Sequence, residues 1–185
     1  MRRRALLALS LLAFATMGVS SPSTWTAGPW DSTIDLEVQA FGGVRTGRFE
    51  AWRGDIVFDP TVPAQTHATV IVQAASLKMR PAVATRRATG PEFLDATRYP
   101  TIRFELRSLE PERGDRFTAH ADITMKGRTR AVRFPVDLRV EPTRVRMAGA
   151  FALDRSDFDI GTSGLMNRMV GRQVMIRIGL QMRQS

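Results

Sequence analysis

Residues 34–40 read IDLEVQA, and in this stretch every even-numbered residue is apolar while every odd-numbered residue is polar. A two-residue period places all the apolar side chains on one face of a β-strand and the polar ones on the other. A helix repeats every ~3.6 residues and cannot produce this separation. We therefore predict a strand here with one dry face and one wet face.

The same alternation recurs from this stretch to the end of the chain, which predicts an all-β protein. In residues 174–182, for example, the even-numbered residues are again all apolar. Eight or nine strands that each offer one apolar face must stack as a sandwich or close as a barrel, and closure removes the exposed edges. The predicted strands cover residues 34–40, 44–50, 53–59, 66–74, 101–107, 117–125, 132–140, 144–153 and 174–182.

Glycine and proline residues mark the turns between these strands, as at Gly42–Gly43, Lys126–Gly127 and Glu141–Pro142. The alternation stops in residues 80–99, where a run of helical composition follows a proline. We predict a short helical segment within residues 81–96. In a barrel such a segment usually caps one end.

The N-terminus has the layout of a secretory signal peptide. Three consecutive arginines at residues 2–4 precede an apolar run over residues 5–19, and small residues follow at Ser20 and Ser21. The run is shorter than the ~20 residues that a membrane-spanning helix needs. We therefore predict a signal peptide over residues 1–21, cleaved near Ser20 or Ser21, a single domain over residues 22–185, and a periplasmic location.

The composition is basic, with 27 lysine and arginine residues against 18 aspartate and glutamate residues and a net charge of +9. The cations are scattered singly between apolar positions, as in Ile102-Arg103-Phe104, and do not form runs with interleaved aromatics. This pattern predicts a solvated outer face and no nucleic-acid partner. A weaker interpretation is transient attraction to anionic lipid headgroups at a membrane surface. The chain has no cysteine, which excludes disulfides.

No catalytic, cofactor or metal motif is found, so we predict neither an enzyme nor a bound cofactor or metal. The densest polar cluster is Asp154-Arg155-Ser156-Asp157. We interpret it as a turn held by Asp and Ser side chains, with Arg155 neutralising the carboxylates. His67 and His120 lack carboxylate or cysteine neighbours at metal-ligand spacing and are predicted to be solvated.

Several ordered motifs resemble the YceI-like (polyisoprenoid-binding) family. They are the stretch from Trp25 to Phe41, GRF at residues 47–49, YPTIRF at residues 99–104, KGRTR at residues 126–130 and LDRSDFDIG at residues 153–161. Each motif is modest alone, but their order and spacing extend over nearly all of residues 22–185. The resemblance implies an antiparallel, lipocalin-like β-barrel of about eight strands that binds a polyisoprenoid or another long-chain amphiphile inside.

The sequence departs from the family pattern at one polar segment. Where many relatives carry Arg-Asp-x-His-Leu, this chain has Ala84-Thr85-Arg86-Arg87-Ala88, and a family histidine of the first strand corresponds to Ala40. Any role of those groups in holding a ligand headgroup is lost here or reassigned, with Arg86 and Arg87 as candidates.

A cavity for a long apolar chain must be lined by side chains without hydrogen-bonding demand, since a buried unpaired polar group costs about 1–3 kcal/mol. Residues 162–171 lack alternation and are predicted to form a loop over the barrel mouth, with two flexible methionines suited to variable tails. For any single residue, ordinary core packing is an equal alternative. The predicted ligand-lining set is Leu36, Val38, Phe49, Phe58, Val70, Val72, Phe104, Phe117, Phe134, Phe151, Phe158, Met166, Met169 and Ile176.

Three functional hypotheses follow. The first is a periplasmic carrier or sequestering protein for an isoprenoid, isoprenoid quinone or fatty amphiphile. The second is an enzyme on such a lipid, which would need a carboxylate such as Asp31 or Asp157 aimed into the cavity with a raised pKa. The third is a filled barrel that serves a stress-related or redox complex through its outer face. The sequence also permits a homodimer.

Overall fold

The computed structural model describes residues 23–59, 62–141, 143–164 and 168–184. This part of the chain consists almost entirely of β-strands, with one α-helix and short 3-10 turns. The helix is α1 (Ala82–Thr89). The strands are β1 (Ser23–Ala27), β2 (Thr33–Ala40), β3 (Gly43–Phe49), β4 (Trp52–Phe58), β5 (His67–Gln73), β6 (Leu77–Met79), β7 (Thr101–Pro111), β8 (Arg116–Met125), β9 (Arg128–Glu141), β10 (Arg144–Asp154) and β11 (Val170–Gln184).

The strand segments form a closed, antiparallel barrel of eight strands, in which the first three strands are each bent into two segments. The halves β1 and β2 form the first, β3 and β4 the second, and β5 and β6 the third, because β4 pairs with β1 and β5 while β3 pairs with β2 and β6. The long strand β11 closes the ring by pairing with β10 on one side and with β1 and β2 on the other. The barrel prediction is confirmed, and the sandwich alternative is excluded.

The bends of the second and third strands lie side by side. The second strand bends at Glu50 and Ala51, and the third bends through the 3-10 turn Ala74–Ser76. Backbone hydrogen bonds continue across the bends, from Gln73 N to Ala51 O at 2.9 Å and from Glu50 N to Ser76 O at 3.2 Å. The bends therefore redirect one wall of the barrel without opening it.

Two of the predicted turns are tight hairpins with positive backbone φ. Lys126 and Gly127 have φ of 47° and 73°, the pattern of a type I′ turn, so this turn is confirmed. The β2–β3 turn lies at Phe41 and Gly42, with φ of 52° and 74°. It is one residue earlier than predicted, because Gly43 already pairs with Ala40.

The predicted short helical segment within residues 81–96 is confirmed, and α1 occupies its first part. It ends at Thr89 because Gly90 precedes Pro91, and a residue before proline disfavours helical backbone. Non-helical turns then bring Phe93 into the core, with Leu94 N donating to Ala88 O at 3.0 Å. None of the helices in the described ranges is long and apolar enough to cross a membrane.

The predicted alternation of faces holds along most of the barrel, and β9 shows a departure from it at a strand end. Phe134, Val136 and Leu138 of β9 are buried, but Val140 on the same predicted face is 52% exposed. Val140 lies next to the β9–β10 hairpin, opposite Val145, which is fully buried. Period two therefore identifies the inward face of a strand but not the burial of each residue on it.

Candidate functional site

The barrel encloses a cavity of about 460 Å³. This volume lies within the ~300–1,000 Å³ range of small-molecule sites in proteins. The inward faces of β2, β5, β7, β8, β10 and β11 supply most of its wall, and α1 covers one end. Apart from three arginines, every described residue of the lining is apolar. Such a surface suits a hydrocarbon chain because it makes no hydrogen-bonding demand.

Most of the predicted lining residues do line this cavity. They are Leu36, Val38, Phe49, Val70, Val72, Phe104, Phe134, Phe151 and Ile176. The sequence prediction omitted several others, which share the same strand faces or the inner side of α1. Among them are Ile34, Leu106, Ile178, Ala84, Ala88 and Phe93.

Three predicted aromatic residues lie outside the lining. Phe58 and Phe158 are 1% exposed and Phe117 is 9% exposed, and all three are packed against other side chains. Phe58 contacts Trp25 edge to face at 6.3 Å between ring centroids. Phe117 pairs with Val136 near the β7–β8 hairpin, and Phe158 belongs to the 3-10 turn Arg155–Phe158. These residues are buried, but they pack against other side chains and do not border the cavity.

The hollow and packed regions occupy different ends of the barrel. One end of the barrel holds the first and last described residues together with the β7–β8 and β9–β10 hairpins. This end is filled by side chains that are absent from the cavity lining. We call this region the closed end; it comprises Trp25, Phe58, Leu109, Phe117, Val136, Leu138 and Val145. The cavity occupies the opposite end, beneath α1 and the β2–β3 turn.

The mouth of the cavity is bordered by α1 and the β2–β3 turn. Phe41 and Val83 both line the cavity and are also 37% and 52% exposed, so they form the rim between the interior and solvent. The guanidinium of Arg87 lies 5.5 Å from the centre of the Phe41 ring, a cation–π contact that connects the helix to the turn. Met169 is 51% exposed outside the lining, although its carbonyl accepts a hydrogen bond from Phe41 N at 2.9 Å. Met166 falls outside the described residues.

A side-chain hydroxyl holds the helix over the mouth. Thr85 Oγ1 accepts from Met79 N at 2.8 Å and donates to Met79 O at 3.0 Å. The helix is thus attached to the end of β6 by a two-way bond, since Met79 is the last residue of that strand. No sequence pattern indicates this bond, because its partners lie on separate elements.

The three arginines of the lining are Arg45, Arg87 and Arg155. Arg155 is buried and donates to the carbonyl oxygens of Ile160 and Gly161 at 2.6 Å, of Val170 at 2.8 Å and of Gly171 at 2.9 Å. Burial lowers the pKa of its guanidinium, and the negative charge of Asp154 opposes that shift. Arginine stays protonated under such a shift.

The Asp154–Asp157 turn is confirmed, but Arg155 has a different role from the predicted one. Asp154 accepts from the backbone N and the Oγ of Ser156 at 2.9 and 2.5 Å, and these bonds hold the pKa of the Asp154 carboxyl below its ordinary value. The ion-pair partner of Asp154 is Arg172, at 2.9 Å. Arg155 instead turns inward and joins the 3-10 turn to the start of β11.

The carboxylates and histidines considered in the sequence lie away from the cavity. Asp157 is exposed, and Asp31 pairs with Arg183 at 2.8 Å on the outer surface. His67 is exposed, whereas His120 contacts a carboxylate oxygen of Glu110 at 3.0 Å. No aspartate, glutamate or histidine belongs to the described part of the lining.

Comparison with known proteins gives one family. The family model of the YceI-like domain matches residues 25–182. UPF0312 proteins of Vibrio cholerae and Vibrio parahaemolyticus are 25% identical to this chain over 144 residues, which cover 72% of this chain and 74% of each relative.

Solved structures have the same architecture. Burkholderia cenocepacia BcnA superposes with a TM-score of 0.78 at 22% identity, over 84% of this chain and 98% of that one. A polyisoprenoid-binding domain from Saccharophagus degradans superposes with a TM-score of 0.71 at 13% identity, over 87% and 98% of the two chains. These two likenesses show the fold, and the family match over residues 25–182 shows that the chain belongs to the YceI-like family.

Proposed function

We propose that this protein binds a long-chain apolar ligand, an isoprenoid or another lipid, inside the barrel and carries or sequesters it in the periplasm. The observation that supports this function is the cavity of about 460 Å³ whose lining is apolar except for three arginines. The polyisoprenoid-binding domain of Saccharophagus degradans, with the same fold, is consistent with it. The predicted signal peptide over residues 1–21 supports the periplasmic location.

The energetics favour a long tail. Each buried methylene contributes about 0.8 kcal/mol, so ten carbons contribute about 8 kcal/mol, while association costs at least about 4 kcal/mol. A short apolar molecule would therefore bind weakly in this cavity. The absence of a carboxylate or imidazole from the described lining favours binding over catalysis.

Transient contact with a membrane surface is a second part of the proposal. The rim residues Phe41 and Val83 and the nearby Met169 are exposed apolar side chains at the mouth. Arginines accompany them, with Arg86 on α1 and Arg168 next to Met169. Apolar side chains mixed with cations suit an anionic lipid surface, from which a ligand could be taken up or to which it could be returned.

The first experiment is native mass spectrometry of protein purified from its own periplasm. A lipid released from the wild-type protein supports the proposal, whereas an empty barrel supports a role through the outer face. Turnover of the extracted lipid by the protein would support an enzyme instead.

A matched pair of variants on β5 tests whether the cavity is the binding site. Ala68 lines the cavity between Ile56 and Leu106, and the next residue, Thr69, belongs to the opposite face of the strand. Ala68→Phe fills part of the cavity and is expected to reduce the amount of bound lipid severalfold. Thr69→Phe adds an aromatic ring outside and should leave the bound lipid unchanged. Equal lipid content in the two variants would contradict the proposal.

A further inference from the structure

An arginine stands on the inward face of β3, where the alternation calls for an apolar residue. Gly47 and Phe49 are buried on this face, and Arg45 is the next inward position toward the mouth. It is half-buried, lines the cavity and lies opposite Val38, which also lines the cavity. A cation on an apolar face is unfavourable unless something neutralises it or water reaches it.

Arg87 brings a second cation to the same rim. It is exposed on α1 and borders the cavity, and its guanidinium lies 5.5 Å from the centre of the Phe41 ring. Phe41 belongs to the turn that leads into β3, four positions before Arg45, and it lines the cavity too. The two arginines therefore border one opening from opposite elements.

Neither arginine has an ion-pair partner in the part of the chain that the structure describes. On the outer wall the opposite situation is common: Arg48, three residues after Arg45, pairs with Asp35 at 2.6 Å. The described lining contains no carboxylate at all. Two positive charges thus stand unneutralised at the open end of an apolar cavity.

We infer that the ligand is an amphiphile with an anionic head, a carboxylate or a phosphate, whose oxygens are bound by Arg45 and Arg87 while its tail fills the cavity. This inference rests on the proposed function and specifies the class of ligand. Guanidinium groups bind carboxylate and phosphate oxygens through charge-assisted, often bidentate hydrogen bonds. Arg86 and Arg87 are both exposed, but only Arg87 belongs to the cavity lining, so of the two arginines proposed from sequence only Arg87 is placed for this role.

The experiment compares three sixteen-carbon probes that differ only in the head: hexadecanoate, hexadecyl phosphate and hexadecan-1-ol. We expect the wild-type protein to bind the two anions about tenfold more tightly than the alcohol at low ionic strength, with the preference falling as salt screens the rim. The double variant Arg45→Gln with Arg87→Gln should lose this preference. Far-UV circular dichroism and urea denaturation establish that the double variant is folded, and the quantity compared is the ratio of its affinities for the anions and for hexadecan-1-ol.

Arg86→Gln is the matched control, because it removes the same charge one residue away without changing the lining. It should keep the preference for anions. If the wild-type protein binds the alcohol as tightly as the acid, the headgroup inference is wrong and cavity binding stands. If no probe binds, the proposed function fails and the inference fails with it. Inorganic phosphate alone should not displace hexadecanoate at equal concentration; displacement would show a free-anion site instead of an amphiphile site.

Discussion

Arg155 shows how one buried side chain can stabilise a turn that sequence alone explains only in part. The guanidinium is 4% exposed and donates to the carbonyls of Ile160, Gly161, Val170 and Gly171, at both ends of the segment before β11. Arginine can serve several acceptors at once because it carries five N–H donors in a fixed plane. The sequence shows the acidic neighbours of Arg155, but not the carbonyls that the fold brings to it.

Replacing Arg155 with methionine should therefore destabilise the barrel. The change leaves several carbonyl groups in a buried region without donors, and each unsatisfied group costs about 1–3 kcal/mol, so we expect a loss of roughly 3 kcal/mol or more in the free energy of unfolding. Urea denaturation measures it. The control is Arg172→Gln, which removes an exposed ion-pair partner of Asp154 and should cost less than about 1 kcal/mol. Similar losses in both variants would contradict the role assigned to Arg155.

The direction of individual side chains was largely predictable, because it depends only on position within a strand. Leu36, Val70 and Phe104 face the cavity as their alternation predicts. Arg45 was missed although it has the same parity as Gly47 and Phe49. A single arginine in a weakly alternating strand suggests a solvated side chain, and only the closed barrel shows that its neighbours enclose a cavity.

The position of α1 over the barrel depends on a contact with β6, the strand that precedes it in the sequence. Its composition predicted a helix, and the Gly90-Pro91 pair accounts for its early end at Thr89. Its attachment to the barrel relies on Thr85, whose hydroxyl bonds both backbone groups of Met79. A threonine within a helix gives no indication of such a partner, since its hydroxyl more often bonds a carbonyl of the same helix.

Removing this hydroxyl should loosen α1, the lid over the cavity mouth, without unfolding the barrel. In Thr85→Val the amide and carbonyl of Met79 lose their partner, and we expect local opening to become easier by about 1 kcal/mol, which is roughly fivefold faster amide exchange in α1. Hydrogen exchange measured by mass spectrometry reports this change. Thr89→Val is the control, because Thr89 Oγ1 bonds only Thr85 O within the helix. Unchanged exchange in Thr85→Val would show that other contacts hold the lid.

Over the whole molecule, the barrel divides into a closed end packed with side chains and a hollow end under α1. Both ends have the same alternating sequence pattern. A two-residue period determines which side chains face inward, but not how far along the barrel axis each residue lies. Whether an inward residue meets another side chain or a cavity depends on partners from strands far away in sequence. This is why the sequence predicted the lining only as a set and included Phe58 and Phe117, which fill the closed end.

The division predicts that the same substitution affects stability and ligand binding differently at the two ends. Phe58→Ala removes a ring packed against Trp25 and should cost about 3–5 kcal/mol of stability, with the affinity of the folded protein for hexadecan-1-ol unchanged. Phe104→Ala removes a half-buried ring that already borders the cavity, so it leaves little new empty space between packed atoms and should cost only about 1–2 kcal/mol. Because it enlarges the binding space, it should also shift preference toward bulkier, branched tails. Urea denaturation and probe binding on both variants give the comparison. Equal stability losses would mean that the hollow end is packed as tightly as the closed end. That result would contradict the proposal that the cavity is the binding site.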